Sequence, residues 1–170
     1  MPASPEQNQR WYAVQTRYRC EQTVTAGLCG KGLETFLPLV TQTHRWSDRN
    51  KKIEVPVFSG YTFTRFDNTA RLRKQLLQTT GVIGLVSFSN EASPVPDKQI
   101  DDLRTVLAQK VPCALHAFLS LGQKVRIRGG SLDGIEGILT QNGERNLIIS
   151  IAAIGRSIAI KIAGYELEPL

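Results

Sequence analysis

Three stretches of this 170-residue chain place reactive or charged side chains at spacings that could do chemistry. Gly129-Gly130-Ser131-Leu132-Asp133 approaches the sharp turn that presents a nucleophilic serine, but Asp133 stands where that turn requires glycine. Gly27-Leu28-Cys29-Gly30-Lys31-Gly32 has its glycines at the wrong spacing for a dinucleotide loop, and no Gly-Lys-Ser/Thr follows to hold a phosphate. Cys20, Cys29 and Cys113 form no Cys-x-x-Cys pair, and His44 and His116 are the only histidines. Neither a zinc site nor a Ser/His or Cys/His couple is expected from such a set. The third stretch, His44 to Lys52, is different. It carries four basic residues and one tryptophan among the turn formers Ser47, Asp48 and Asn50. Arg45 and Arg49 suit phosphate contact and Trp46 suits base stacking, with a solvated hairpin tip as the alternative. The chain is thus expected to bind rather than to catalyse, with no cofactor and no metal.

The elements that must position these residues follow from periodicity. Trp11 to Thr16 is predicted as a first strand. It is followed by a short helix with Cys20, Val24 and Leu28 on one face, ended at Gly30 and Gly32. Phe36 to Val40 begins a second extended segment that runs into the basic tip and returns as a hairpin. The central stretch, Val55-Pro-Val-Phe-Ser-Gly-Tyr-Thr-Phe63, has Pro56 and Gly60 around an apolar kink. Beyond the kink Tyr61 and Phe63 share one strand face, which is either core or a docking surface. Leu72, Leu76 and Leu77 mark a short amphipathic helix whose outer face carries Arg73 and Lys74. Gly81 to Phe88 reads as a strand, Pro94-Val95-Pro96 breaks the chain, and Ile100, Leu103 and Leu107 mark a further helix. Mixed elements without a repeating βαβ unit predict an α+β sandwich over residues 11–110. Residues 1–10 read as a disordered tail and 111–118 as a linker.

From residue 119 the pattern turns all-β. Lys124 to Arg128 alternates, Asn142-Gly143 is a strong hairpin signal, and Ile158, Ile160 and Ile162 share a face. Four or five short strands in about fifty residues fit a small barrel. The β-branched isoleucines here favour strand over helix. Charge is uneven: residues 1–110 hold 15 Lys/Arg against 10 Asp/Glu, whereas 111–170 hold 6 against 5. Most of the net +6 therefore sits in the first part, which suggests a polyanion near it. The N-terminus lacks a secretory h-region, the cysteine usage fits a reducing cytosol, and no apolar run is long enough to cross a bilayer. A cytoplasmic protein without membrane contact is expected.

Taken in order, these pieces resemble the NusG family of transcription elongation factors over residues 11–170. Trp11-Tyr12-Ala13-Val14 looks like its opening strand, and Val57-Phe58-Ser59-Gly60-Tyr61-Thr62-Phe63 like its apolar-Phe-Pro-Gly-Tyr-x-Phe signature, with Ser59 in place of proline. Thr80-Gly81-Val82 and Val95-Pro96 follow at similar spacing. Gly122 to Ile127 through Leu132 to Gly137 looks like a KOW motif, and Ile154-Gly155-Arg156 falls where the family has Phe-Gly-Arg. The resemblance implies an N-terminal NGN α/β sandwich, an antiparallel sheet with helices, and a C-terminal SH3-like KOW barrel over 119–170. It implies a monomer that docks Phe58, Tyr61, Phe63, Ile100 and Leu103 on the clamp helices of RNA polymerase. Arg73 and Lys74 would face the polymerase gate loop, and Arg17, with Arg19 beside it, the non-template DNA of the elongation complex; Arg45, Trp46 and Arg49 join that DNA set from the basic tip. Ile154 and Arg156 would face a KOW partner, Rho or a ribosomal protein. Phe36-Leu37-Pro38 with Arg45 to Arg49 looks closest to specialised antiterminators of the UpxY type, which act on long operons, often polysaccharide ones. Two other readings stand beside that one: a housekeeping factor coupling polymerase to Rho and the ribosome, and a translation-associated RNA-binding module.

Overall fold

The computed structural model describes residues 8–109, 113–117, 122–142, 144–162 and 165–170. The tail expected at residues 1–10 lies outside them as far as residue 7, and Arg10 already belongs to the first strand. The chain divides into two compact units, Met1–Pro96 and Asp97–Leu170.

The first unit is an antiparallel sheet with two helices. Its elements are β1 (Arg10–Thr16), α1 (Glu21–Gly30), β2 (Glu34–Phe36), β3 (Leu39–Arg45), β4 (Asn50–Pro56), β5 (Tyr61–Phe66), α2 (Ala70–Leu77) and β6 (Val82–Leu85). The short strands β7 (Ser87–Phe88), β8 (Glu91–Ala92) and β9 (Pro94–Val95) close it. The main sheet runs β2-β5-β1-β6, with β9 also on β1. Alternation along β1 and β5 sends Tyr12, Val14 and Phe66 to one face. There they form a core with Val24 and Leu28 of α1 and Leu76 of α2. The Tyr12 and Phe66 rings lie 5.1 Å apart in a tilted pair. Thr69 caps α2 by accepting from the Leu72 N–H at 3.4 Å. The extended segment expected at Phe36 to Val40 is split between β2 and β3, because Pro38 has no N–H for a ladder. The strand expected over Gly81 to Phe88 is likewise two strands, broken at Val86, whose N–H turns to the Ala13 carbonyl at 3.0 Å.

The second unit begins with α3 (Asp97–Ala108). The strands β10 (Cys113–Ala117), β11 (Gln123–Arg128), β12 (Glu136–Asn142), β13 (Glu144–Ile151), β14 (Arg156–Lys161) and β15 (Glu166–Pro169) follow. The sheet order is β10-β14-β13-β12-β11-β15. Asn142 stands opposite Glu144, so the expected hairpin joins β12 and β13, while Gly143 itself lies outside the described residues. Val125, Ile127, Leu147, Ile149, Ile158 and Ile160 are buried and supply the core. Gly137 lies where backbones close in: an added Cβ would meet the Ile148 carbonyl at 2.6 Å.

Two expectations on chain organisation differ from what is observed. Residues 113–117, read as part of a linker, form β10 and pair with β14 from Cys113 opposite Ile160 to Ala117 opposite Arg156. An edge strand needs no period of its own to pair, so its short run gave no signal. The helix read as closing the first domain groups with the strands that follow it. Asp102 of α3 accepts from the Glu136 N–H at 3.5 Å, and Lys98 reaches both Asp102 at 3.0 Å and the Gly134 carbonyl at 3.0 Å.

Burial raises the pKa of Asp102 above its ordinary 3.8, and the Lys98 ammonium offsets only part of that cost. The native state therefore holds the Asp102 proton more tightly than the unfolded chain, so this residue's contribution to stability falls as pH rises from 3.8 through the raised value. Glu136 behaves oppositely. Its hydrogen bond from Arg126 lowers its pKa below 4.5, and that contribution is lost as pH falls through the lowered value. Asp102→Asn should remove the first dependence while leaving the second. In urea melts between about pH 4 and 8, the variant should gain on the wild type as pH rises. A constant difference across that range would show that Asp102 does not titrate between folded and unfolded states.

Candidate nucleic-acid and partner-binding surfaces

The central stretch is set by a buried carboxylate. Glu21, in the first turn of α1, is buried, and its Oε1 accepts the Gly60 N–H at 2.8 Å. The Gly60 carbonyl in turn accepts the Thr16 N–H at 2.8 Å. Gly60 adopts φ 84°, a conformation that favours glycine, and so turns the chain from β4 into β5. Thr25 and Thr62 meet hydroxyl to hydroxyl at 2.8 Å, fixing α1 across β5. Neither Glu21 nor Thr25 was among the candidate residues. An acid in the first helical turn is ordinary, and nothing local in the sequence says that its partner lies 39 residues away.

Of the three rings expected on the docking face, Phe63 is fully buried and Phe58 is 3% exposed, whereas Tyr61 is partly exposed. Phe63 packs against Phe36 with centroids 6.3 Å apart and against Phe58 edge-on at 6.2 Å. These rings form a largely buried aromatic cluster, and the Tyr61 N–H is held on the Phe58 carbonyl at 3.1 Å. Ile100 and Leu103 belong to the second unit and are fully buried there. Arg73 is half-buried and Lys74 exposed, both on α2.

The DNA candidates fall into two groups. Arg17 and Arg19 lie in the loop after β1, where the Arg17 N–H is held by the Gly81 carbonyl at 2.8 Å. Arg19 has φ 58°, and its guanidinium stands 5.3 Å from the centre of the exposed Tyr18 ring. Arg45, Trp46 and Arg49 sit at the far end of β3 and β4. These two strands form a sheet of their own, with seven paired positions from Leu39 opposite Pro56 to Arg45 opposite Asn50. At about 3.4 Å per residue this arm is roughly 20 Å long. The Val57 N–H on the Pro38 carbonyl anchors its base, and the Trp46 N–H on the Arg49 carbonyl closes its tip. Trp46 is 61% exposed.

In the second unit the 3-10 turn Ala152–Ile154 leads through Gly155 in the left-handed region to the exposed Arg156. Ile154 is half-buried at this turn. The serine of the elbow-like stretch is tied to structure instead of to a base. Ser131 Oγ meets Tyr165 OH at 3.3 Å, and Asp133 accepts the Gly129 N–H at 2.6 Å. Among the described residues no three His, Cys, Asp or Glu gather to hold a metal, and no helix is long and apolar enough to cross a membrane.

An antiparallel α+β unit is followed by a unit in which one helix precedes a six-stranded sheet, and both carry basic residues on exposed loops and turns. A family model described as "Transcription termination factor nusG" matches residues 9–104, more than half of the chain. The chain belongs to the NusG family of transcription factors. It is 23% identical over 175 residues to the "Transcription termination/antitermination protein NusG" of Lactococcus lactis, spanning 96% of this chain and 94% of that one. The protein of the same name in Borreliella burgdorferi is 22% identical over 181 residues, spanning 94% and 98%. Among solved structures, one described as domain interaction in Thermotoga maritima NusG is similar in fold, with a TM-score of 0.57 at 18% identity over 95% of this chain and 97% of that one.

Removing the buried carboxylate should loosen the kink. Glu21→Ala leaves the Gly60 N–H without its acceptor and should cost about 1–3 kcal/mol in urea denaturation. Glu21→Gln keeps an acceptor oxygen and should cost clearly less. Equal losses in the two variants would mean that the charge, and not the hydrogen bond, holds the turn.

Proposed function

We propose that this chain binds RNA polymerase at its clamp helices, suppresses pausing, and serves as a processive antiterminator on long operons, polysaccharide operons included. Family membership supplies the transcription role. Tyr61, partly exposed next to the buried Phe58 and Phe63, offers an amphipathic side chain to a partner helix. The family resemblance adds Ile100 and Leu103 of α3 to the polymerase-facing set; both are fully buried in this structure. Arg73 and Lys74 face the gate loop, and the Arg17 loop with the ribbon tip meets DNA of the elongation complex. A clamp held closed by such a bridge favours the elongating state by mass action.

The observation that carries antitermination over termination is the turn at Ile154. Its backbone, with left-handed Gly155 and exposed Arg156, is that of a presenting loop. Its apex residue is aliphatic where the family resemblance calls for phenylalanine. Aromatic anchors dominate small interfaces, and losing one commonly costs 2 kcal/mol or more, about thirtyfold in affinity. A factor that grips polymerase but recruits Rho weakly occupies the clamp and promotes read-through. A housekeeping role with Rho and the ribosome is the second reading; its support is that both relatives are named termination/antitermination proteins.

In transcription assays on long templates with Rho, the chain should reduce termination when it competes with a housekeeping factor, and Ile154→Phe should restore it. Rho binding by the wild-type chain as tight as that of a phenylalanine-bearing relative would reverse the assignment. Tyr61→Ala should stay folded and weaken polymerase binding by roughly 1.5–3 kcal/mol. Phe63→Ala, which opens a cavity, should instead destabilise the fold by about 3–5 kcal/mol. Full polymerase binding by a folded Tyr61→Ala chain would remove this face from the interface.

A further inference from the structure

In the second unit the strands β11 to β14 lie side by side in the order of the sequence, whereas β10 joins the sheet out of order, at the β14 end. The pairing of β10 with β14 is antiparallel and unbroken over five positions, from Cys113 opposite Ile160 to Ala117 opposite Arg156. Yet Cys-Ala-Leu-His-Ala is a poor strand sequence. It holds no β-branched or aromatic residue, and alanine is depleted in strands. β14 is the reverse. Between its charged ends, Arg156 and Lys161, it reads Ser-Ile-Ala-Ile, with no charge, proline or register shift to discourage pairing. A strong acceptor edge is therefore covered by a weak strand. Pro112, directly before that strand, helps to blunt the new edge.

We propose that β10 is a guard strand: it holds, from within the chain, the β14 edge on which the second unit takes up an extended segment of another protein by strand addition, and it leaves when that segment arrives. This surface lies outside the polymerase- and DNA-facing sets named above. β10 itself shows what fits. The partner segment runs antiparallel to β14 over about five residues or more. Ile158 and Ile160 are buried, so the positions opposite them, now Leu115 and Cys113, call for β-branched or aromatic residues, which gain most from cross-strand pairs. The position opposite Ala159, now Ala114, takes a small residue. Main-chain hydrogen bonds give such a contact its affinity, and the alternate side chains its selectivity. The ladder bonds lost by β10 are remade with the incoming strand. What β10 keeps is the advantage of its tether, an effective concentration on the order of millimolar for a short linker. A segment of stronger strand formers overcomes that advantage, and one no better than β10 does not.

The test needs neither polymerase nor DNA, so its outcome is separate from that of the Tyr61 experiment. The full chain is compared with Ala114→Pro/Leu115→Pro, adjacent prolines that remove a ladder donor whichever of the two faces β14. The probes are fluorescein-labelled peptides spanning residues 111–119, one with the natural sequence and one carrying Cys113→Val and Leu115→Val. In anisotropy titrations the valine peptide should bind the double-proline chain about tenfold or more tighter than the wild type, and tighter than the natural peptide does. Hydrogen exchange reads the same opening without a peptide. Alternate residues of a central strand donate to opposite neighbours, so in the wild type the β14 amides bonded to β10 should exchange about tenfold or more faster than those bonded to β13. The prolines should strip protection from the first set alone. Equal peptide binding by the two chains, no binding by the folded double-proline chain, or equal protection of the two amide sets would each overturn the proposal. So would loss of the β13-bonded protection in the variant, which would make β10 integral to the fold.

Discussion

The first unit depends on the hydrogen bond from the Gly60 N–H to the buried Glu21 carboxylate. That one contact joins the start of α1 to the turn between β4 and β5. Through the Gly60 carbonyl it also reaches the last residue of β1. A charge-assisted bond to a buried acceptor is among the stronger local restraints a protein can make. Three surfaces inherit its position. The ribbon leaves from the residues just before Gly60, Tyr61 follows directly after it, and the Arg17 loop starts where Thr16 is held. Gly81 completes the frame on the other side of that loop, where an added Cβ would press on Cys20 and Val24 at 3.1 and 3.0 Å.

Much of this was legible in the sequence where a single period governs a segment. The β1 strand, the four-residue spacing of α1, the leucines of α2 and the alternating isoleucines of β14 all appear where their patterns place them. Family membership was legible for the same reason, since its signatures are short local strings in a fixed order. What pattern could not supply was long-range pairing. Glu21 looked like any first-turn acid, the 113–117 segment looked like linker, and α3 looked like the closing helix of the preceding domain. Phe63 illustrates the same limit from the other side. Alternation put it correctly on the face of Tyr61, but no period distinguishes a ring that meets solvent from one covered by Phe36 and Phe58.

The second unit is organised by a different economy of charge. Its α3 helix is held by apolar residues, Ile100, Leu103 and Val106, and by a polar group, Asp102, that burial disfavours in its charged form. Such a seat combines an apolar contact that stabilises with a carboxylate whose burial the Lys98 ammonium offsets only in part. The Arg126–Glu136 pair beside it is itself partly exposed and adds orientation more than energy.

The free-standing ribbon carries a hazard of its own. Both its edges present unpaired backbone groups, and Thr41 to Thr43 beside Ile53 and Val55 are good strand formers. Two such ribbons from neighbouring molecules could add strand to strand and build an open-ended sheet. Lysines along an edge are a common protection against that outcome, because like charges repel before backbones can register. Lys51 and Lys52 on adjacent positions of β4 place one charge on each face near the ribbon's tip. Solubility at high concentration is thus vested in the same few side chains that give the arm its electrostatic character.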